Sequence, residues 1–168
     1  MKRFVCILLS ISLLFCVTGC SDNTEGTVTL YYLRKEIDYN SSTPLIVAFS
    51  QQTSSIPQHY EQIINQYLRG PTSSDLISPF PDEIQLKAFE ISSNQLSVTL
   101  SYHKESFSAS RRTIAFACLT KTLVTLTGIN AVEIIVEDID SDDQEIFNFS
   151  IDSFTYIDSV SYNDIVDK

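Results

Sequence analysis

The stretch Ile84-Gln85-Leu86-Lys87-Ala88-Phe89-Glu90-Ile91-Ser92-Ser93-Asn94-Gln95-Leu96-Ser97-Val98-Thr99-Leu100-Ser101-Tyr102 decides the fold class. Its second half puts Leu96, Val98, Leu100 and Tyr102 on one side of a period-2 pattern and Ser97, Thr99 and Ser101 on the other, the signature of a half-buried strand. The first half keeps Ile84, Leu86 and Ala88 in phase before Phe89 and Ile91 switch parity, which predicts a bulge near Ala88. Ser92 to Asn94 is short enough to close a hairpin. A hairpin at the centre of the chain breaks any regular alternation of strand and crossover helix.

Outward from the hairpin, both flanks read as helices. Downstream, Ile114, Ala115, Phe116, Cys118, Leu119, Leu123 and Leu126 form a wide apolar stripe from about Ser108 to Thr127, with Gly128 as the left-handed stop. Upstream, Tyr60, Ile63, Ile64, Tyr67 and Leu68 recur at helical spacing. Ser55 and Gln58 suggest a capping box there, Pro57 a first turn, and Gly70-Pro71 an end. Thr27 to Leu33, Leu45 to Phe49, Ala131 to Glu137 and Glu145 to Ile157 read as strands, with loops at 39–44 and 50–55. The expected architecture is α+β: a single domain with a twisted, mainly antiparallel sheet and two helices packed on one face. It spans 27–162 and is followed by a frayed tail, 163–168.

The N-terminus carries an address. Lys2 and Arg3 precede an apolar run from Phe4 to Val17, 14 residues long, too short for a membrane span, which needs about 20, but right for a secretory signal. Val17-Thr18-Gly19-Cys20 then resembles the lipobox of bacterial lipoproteins, which implies cleavage between Gly19 and Cys20 and a diacylglycerol on Cys20. Residues 1–19 are accordingly expected to leave, 20–26 to be the lipidated tether, and the domain to sit on the extracytoplasmic face of the cell membrane. The diacylglycerol supplies the two chains that stable anchoring requires.

Charge and composition exclude more than they name. The full chain has 11 Lys+Arg against 21 Asp+Glu over 168 residues, a net charge of −10. Loss of residues 1–19 leaves 9 against 21, or −12 over 149 residues. Such a body lacks the basic surface that tracks nucleic-acid phosphates, and anionic headgroups would repel it. Four glycines leave no phosphate-cradling loop, and there is no nucleophile elbow. Cys118 is the one thiol of the mature domain and lies in an apolar stripe, so it is expected as a small buried hydrophobe with no role in catalysis.

Asp138-Ile139-Asp140-Ser141-Asp142-Asp143 starts like a calcium loop, but Asp143 stands where the turn needs Gly and Phe149 where the bidentate Glu belongs. A solvated acidic loop is expected, and no metal or cofactor other than the lipid. His103, Lys104, Arg111 and Arg112 form the basic cluster of the domain, read either as ion pairs with nearby acids or as a partner contact. The aromatics Tyr31, Tyr32, Tyr39, Phe147, Phe149, Phe154 and Tyr156 read as core or cross-strand pairs, with a contact surface as the alternative.

Several passages together resemble the GerMN domain of sporulation and spore-germination proteins, found in lipoproteins of spore-forming bacteria. They are Tyr67-Leu68-Arg69-Gly70-Pro71, Pro81-Asp82-Glu83-Ile84-Gln85-Leu86, Leu96-Ser97-Val98-Thr99-Leu100-Ser101 and Gly128-Ile129-Asn130-Ala131-Val132-Glu133-Ile134. The resemblance runs from about residue 45 to 138. It departs at Asp82-Glu83, where a Gly-Thr turn is common, and at Thr99, where Asp is. It implies a compact α+β unit, related in shape to the ring-building motifs of envelope-spanning machines, that works by protein–protein contact without known catalysis.

The expected function is thus a membrane-anchored assembly module whose partners are envelope or sporulation proteins, with homo-oligomerisation through a sheet edge also open. The rivals are a small-ligand- or cell-wall-binding lipoprotein and a cell-wall-active enzyme. An enzyme should gather carboxylates in a cleft beside His59 or His103, a ligand binder should hold a deep aromatic-lined pocket, and an assembly module should expose a broad flat face.

Overall fold

The computed structural model describes residues 25–36, 44–54 and 59–154. The signal segment, Cys20, the Ser55/Gln58 capping pair, Tyr39, Tyr156 and the 163–168 tail lie outside the described residues. The elements are β1 (Glu25–Arg34), β2 (Ile46–Ser54), α1 (Tyr60–Leu68), β3 (Leu76–Ile77), β4 (Gln85–Ser92), β5 (Gln95–Tyr102), α2 (Ala109–Thr127), β6 (Ala131–Asp138) and β7 (Gln144–Phe149), with 3-10 turns at Lys104–Ser106 and Ile151–Phe154.

The α+β class and the two helices hold, but the strands divide into two sheets. One has the order β2-β1-β3 and the other β4-β5-β6-β7. All pairs are antiparallel except β5 with β6, which are parallel because α2 crosses between them. The central hairpin forms as expected, with Ser92 opposite Gln95 and a register shift between Leu86 and Ala88. Ser93 takes φ 47° in its two-residue turn, a left-handed conformation that such turns require.

Two sequence expectations about strand limits need correction, and one short strand is added. Residues 50–54 are not loop. They continue β2, pairing Ser50 to Ser54 with Thr29 to Glu25, and their polar side chains suit an edge strand. The last strand ends at Phe149 and turns into a 3-10 helix, so it does not run through to Ile157. The two-residue β3 carries no periodicity to read and exists through pairing with Leu33 and Arg34.

Helix ends follow local chemistry. The Ser108 hydroxyl caps α2 by accepting the Arg111 N–H, and Gly128, at φ 74°, closes it by donating to the Val124 carbonyl. On α1 the four residues at helical spacing, Ile63, Ile64, Tyr67 and Leu68, are buried. Its end is turned by Gly70 at φ 100°, whose N–H meets the Tyr67 carbonyl.

Both helices lie on one face of the four-stranded sheet. Tyr60 of α1 packs on Phe89 of β4 at 5.8 Å between ring centres, and Phe116 of α2 packs on Phe147 and Phe149 of β7 at 5.2 and 6.1 Å. Beneath them Leu96, Val98, Leu100, Tyr102, Val132, Ile134 and Val136 are buried. Tyr32 and Phe147 thus belong to the core or its packed margin, as cross-strand reading suggested. The other side of α2 is buried as well, Ala117 and Cys118 meeting Ile46 of β2 with Tyr31 and Leu33 of β1.

The helices also complete the edge of β1. Lys35 N–H reaches Asp75 on the β3 side, and Tyr31, four residues earlier on the same strand, has its N–H bonded to Thr122 Oγ1 at 3.0 Å and its carbonyl accepting from Tyr67 Oη at 2.9 Å. Side chains of α2 and α1 thus replace the strand that β3 is too short to provide. Burial holds the Tyr32 and Tyr67 hydroxyls well above the ordinary phenol range.

Candidate functional site

The basic cluster sits where the end of β5 meets the β6–β7 turn. His103 follows β5 directly, and its two ring nitrogens face two carboxylates, Nδ1 to Asp140 at 2.6 Å and Nε2 to Glu83 at 3.4 Å. Its pKa is raised, first by the hydrogen bond to Asp140 and further by the charges of Asp140, Glu83 and Asp138, against a smaller opposing desolvation. Lys104 bridges Asp143 at 2.8 Å and Glu145 at 3.0 Å, and Arg112 of α2 meets the other Glu145 oxygen at 3.1 Å. These carboxylates raise the Lys104 pKa in turn.

Arg111 stands apart from this network, its guanidinium 5.9 Å from the Phe107 ring centre. Tyr102 is fully buried beneath the network, and burial pushes its hydroxyl up while Arg112 pulls it down. The cluster therefore ties β5, α2 and the β6–β7 turn together by charge, and Arg111 is the member turned away from it.

The acidic loop is built as a turn. Asp138 accepts from the Ser141 hydroxyl at 2.9 Å and from the Lys104 and Asp140 N–H groups. These donors, the Ser141 hydroxyl foremost, lower its pKa. Its carboxylate is thus spent on folding the loop, and no group of three or more His, Cys, Asp or Glu side chains placed to hold a metal occurs among the described residues. Next to it lies an open cleft of about 610 Å³ lined by polar and acidic groups, among them Lys87, Ser101, Glu137, Asp142 and Gln144. His103 is not part of that lining, and no aromatic ring is either.

The remaining candidates are scattered. His59 precedes α1. Cys118 is fully buried on α2, as its place in the apolar stripe suggested. No described helix is long and apolar enough to cross a membrane. Sequence reading missed that Tyr31, Tyr67 and Thr122 act together, since three isolated polar groups at long separations give no pattern.

Comparison with known proteins agrees with the architecture. Residues 29–142 match the family model Germane, described as sporulation and spore germination. The match begins at residue 29, ahead of the 45 traced from the sequence, and so takes in β1. The tandem GerMN domains of the sporulation protein GerM from Bacillus subtilis superpose with a TM-score of 0.52 at 16% identity, covering 80% of this chain and 49% of that one. The chain thus spans about half the length of that structure. A Clostridium perfringens chain with a provisional lipoprotein description matches at a TM-score of 0.42 and 21% identity, covering 73% of this chain and 87% of that one. No curated protein matches. With the matched span running from β1 into the β6–β7 turn, the chain belongs to the Germane family of sporulation and spore germination.

Proposed function

We propose that the chain is a non-catalytic module of the cell envelope, anchored through lipid on Cys20, that binds other envelope proteins during sporulation or spore germination. The observation that carries this reading is the family match over residues 29–142. The anchor rests on Lys2, Arg3, the apolar run and Val17-Thr18-Gly19-Cys20. A body of −12 would leave attachment to the lipid and place the domain on the extracytoplasmic face. His103, Lys104, Arg111 and Arg112 were candidate contact residues. Of these Arg111, outside the ion-pair network, is the one best disposed to meet a partner.

One observation favours a second reading, a cell-wall-active enzyme, because Glu83 and Asp140 do converge on His103. A general base needs a ring nitrogen with an accessible lone pair. Both ring nitrogens of His103 already face a carboxylate, and the ring lies outside the cleft lining. An ion bridge is the better account of that geometry.

Crosslinking pull-down with the full chain, from growing and from sporulating cells, tests the reading. Capture of a defined envelope protein in sporulating cells is expected. Capture only during vegetative growth would remove the sporulation assignment, and no specific capture at either stage would remove the binding role.

A further inference from the structure

The geometry points to the outer face of the four-stranded sheet as a docking surface for a basic polypeptide segment with apolar side chains between its cations. This rests on the reading of the chain as a binding module and adds the surface and the chemistry of its occupant. The helices cover the inner face, Tyr60 on Phe89 and Phe116 on Phe147, and leave Ile146 on the outer one exposed.

The register aligns Ala88, Thr99, Ile135 and Ile146 in a row across all four strands. That row is small or apolar, and its last member, Ile146, is 57% exposed. A carboxylate row flanks it on one side, with Glu90 on β4 and Glu133 on β6. On the other side Glu137 and Asp142 line the cleft at the β6–β7 turn. Glu133 accepts from the Ser97 hydroxyl at 3.1 Å, which fixes its direction. The ion pairs of His103, Lys104 and Arg112 involve none of Glu90, Glu133, Glu137 and Asp142, while Lys87 at the cleft bonds the Gln85 amide oxygen.

An apolar centre between charged margins is the anatomy of a protein interface, and the sign of the margins selects the partner. Anionic headgroups, wall polymers and nucleic acid would be repelled. A second copy of a chain at −12 would bring more negative charge to the same place. A basic segment gains steering and register from the carboxylates and buries its apolar side chains on the central row.

The test uses the full processed chain and a synthetic peptide alternating Lys and Val, with a Glu and Val peptide as control. Binding of the Lys peptide alone is expected, weakening as salt rises. Ile146→Asn should weaken it about tenfold, the Glu133→Gln, Glu137→Gln pair should weaken it and flatten its salt dependence, and Gln62→Ala, exposed on α1, should leave it unchanged. Equal binding of both peptides, or indifference to these face variants, overturns the proposal. So does self-association abolished by Ile146→Asn, binding of phosphatidylglycerol vesicles through Ile146, or peptide binding that appears only when residues 155–168 are removed. Ile146→Asn in the pull-down from sporulating cells separates the two levels. Undiminished capture of the partner sinks the face and leaves the binding role standing, whereas absence of any partner for the wild-type chain sinks both.

Discussion

His103 is held from both sides by acids that lie 20 positions before it, Glu83, and 37 positions after it, Asp140, in the chain. Its raised pKa carries a sign. The bridge stabilises the fold fully below the ordinary imidazole value of 6.5 and loses its contribution as pH rises through the higher folded value. His103→Gln should therefore remove a decline in thermal stability that the wild type shows above about pH 6.5, measured by melting temperature against pH. An unchanged profile would mean the bridge does not form in solution. Cys118 gives a second residue-scale expectation: buried on α2, it should label slowly with a thiol reagent in the native state and rapidly in denaturant. Gly128 was legible from sequence because a helix stop is settled by a few neighbouring residues. The ion partners of His103 were not legible, because nothing local links it to Glu83 or Asp140.

At the scale of elements, the edge of β1 shows why pairing was less legible than strand identity. Val28, Leu30 and Tyr32 announce the strand by alternation, but what lies beside it is decided by Thr122 and Tyr67, far along the chain. Residues 50–54, Ser-Gln-Gln-Thr-Ser, likewise read as loop because an exposed edge strand has no apolar alternation. The division into two sheets and the parallel β5–β6 pair follow from which edges meet, not from any strand's own pattern. Two isosteric changes on α2 test this account. Thr122→Val leaves the Tyr31 N–H without its acceptor and should cost about 1–2 kcal/mol. Thr120→Val removes a fully buried hydroxyl that has no hydrogen-bond partner and should be neutral or stabilising. Urea midpoints with unchanged slopes would report both, and similar losses from the two variants would contradict the edge-completing role.

For the whole molecule, the α+β class and the family were readable because the hairpin, the two helix stops and the passage after Gly128 are each written locally and agree with one another. The surface that would bind a partner was not readable. It requires Thr99 of β5 and Ile135 of β6, which α2 separates in the chain, to be seen in one row with Ile146. The acidity of the mature chain and the diacylglycerol expected on Cys20 together make the anchor, and not surface charge, what would hold the domain at the membrane. Spore yield, followed by germination of those spores, tests that claim most directly when cells carry either Cys20→Ala or the His59→Gln, His103→Gln pair. A lipid-anchored module without catalysis predicts that loss of the anchor lowers the yield or germination to the level of cells lacking the chain, while the histidine pair stays at the wild-type level. Wild-type sporulation and germination with Cys20→Ala, together with a defect in the histidine pair, would contradict it.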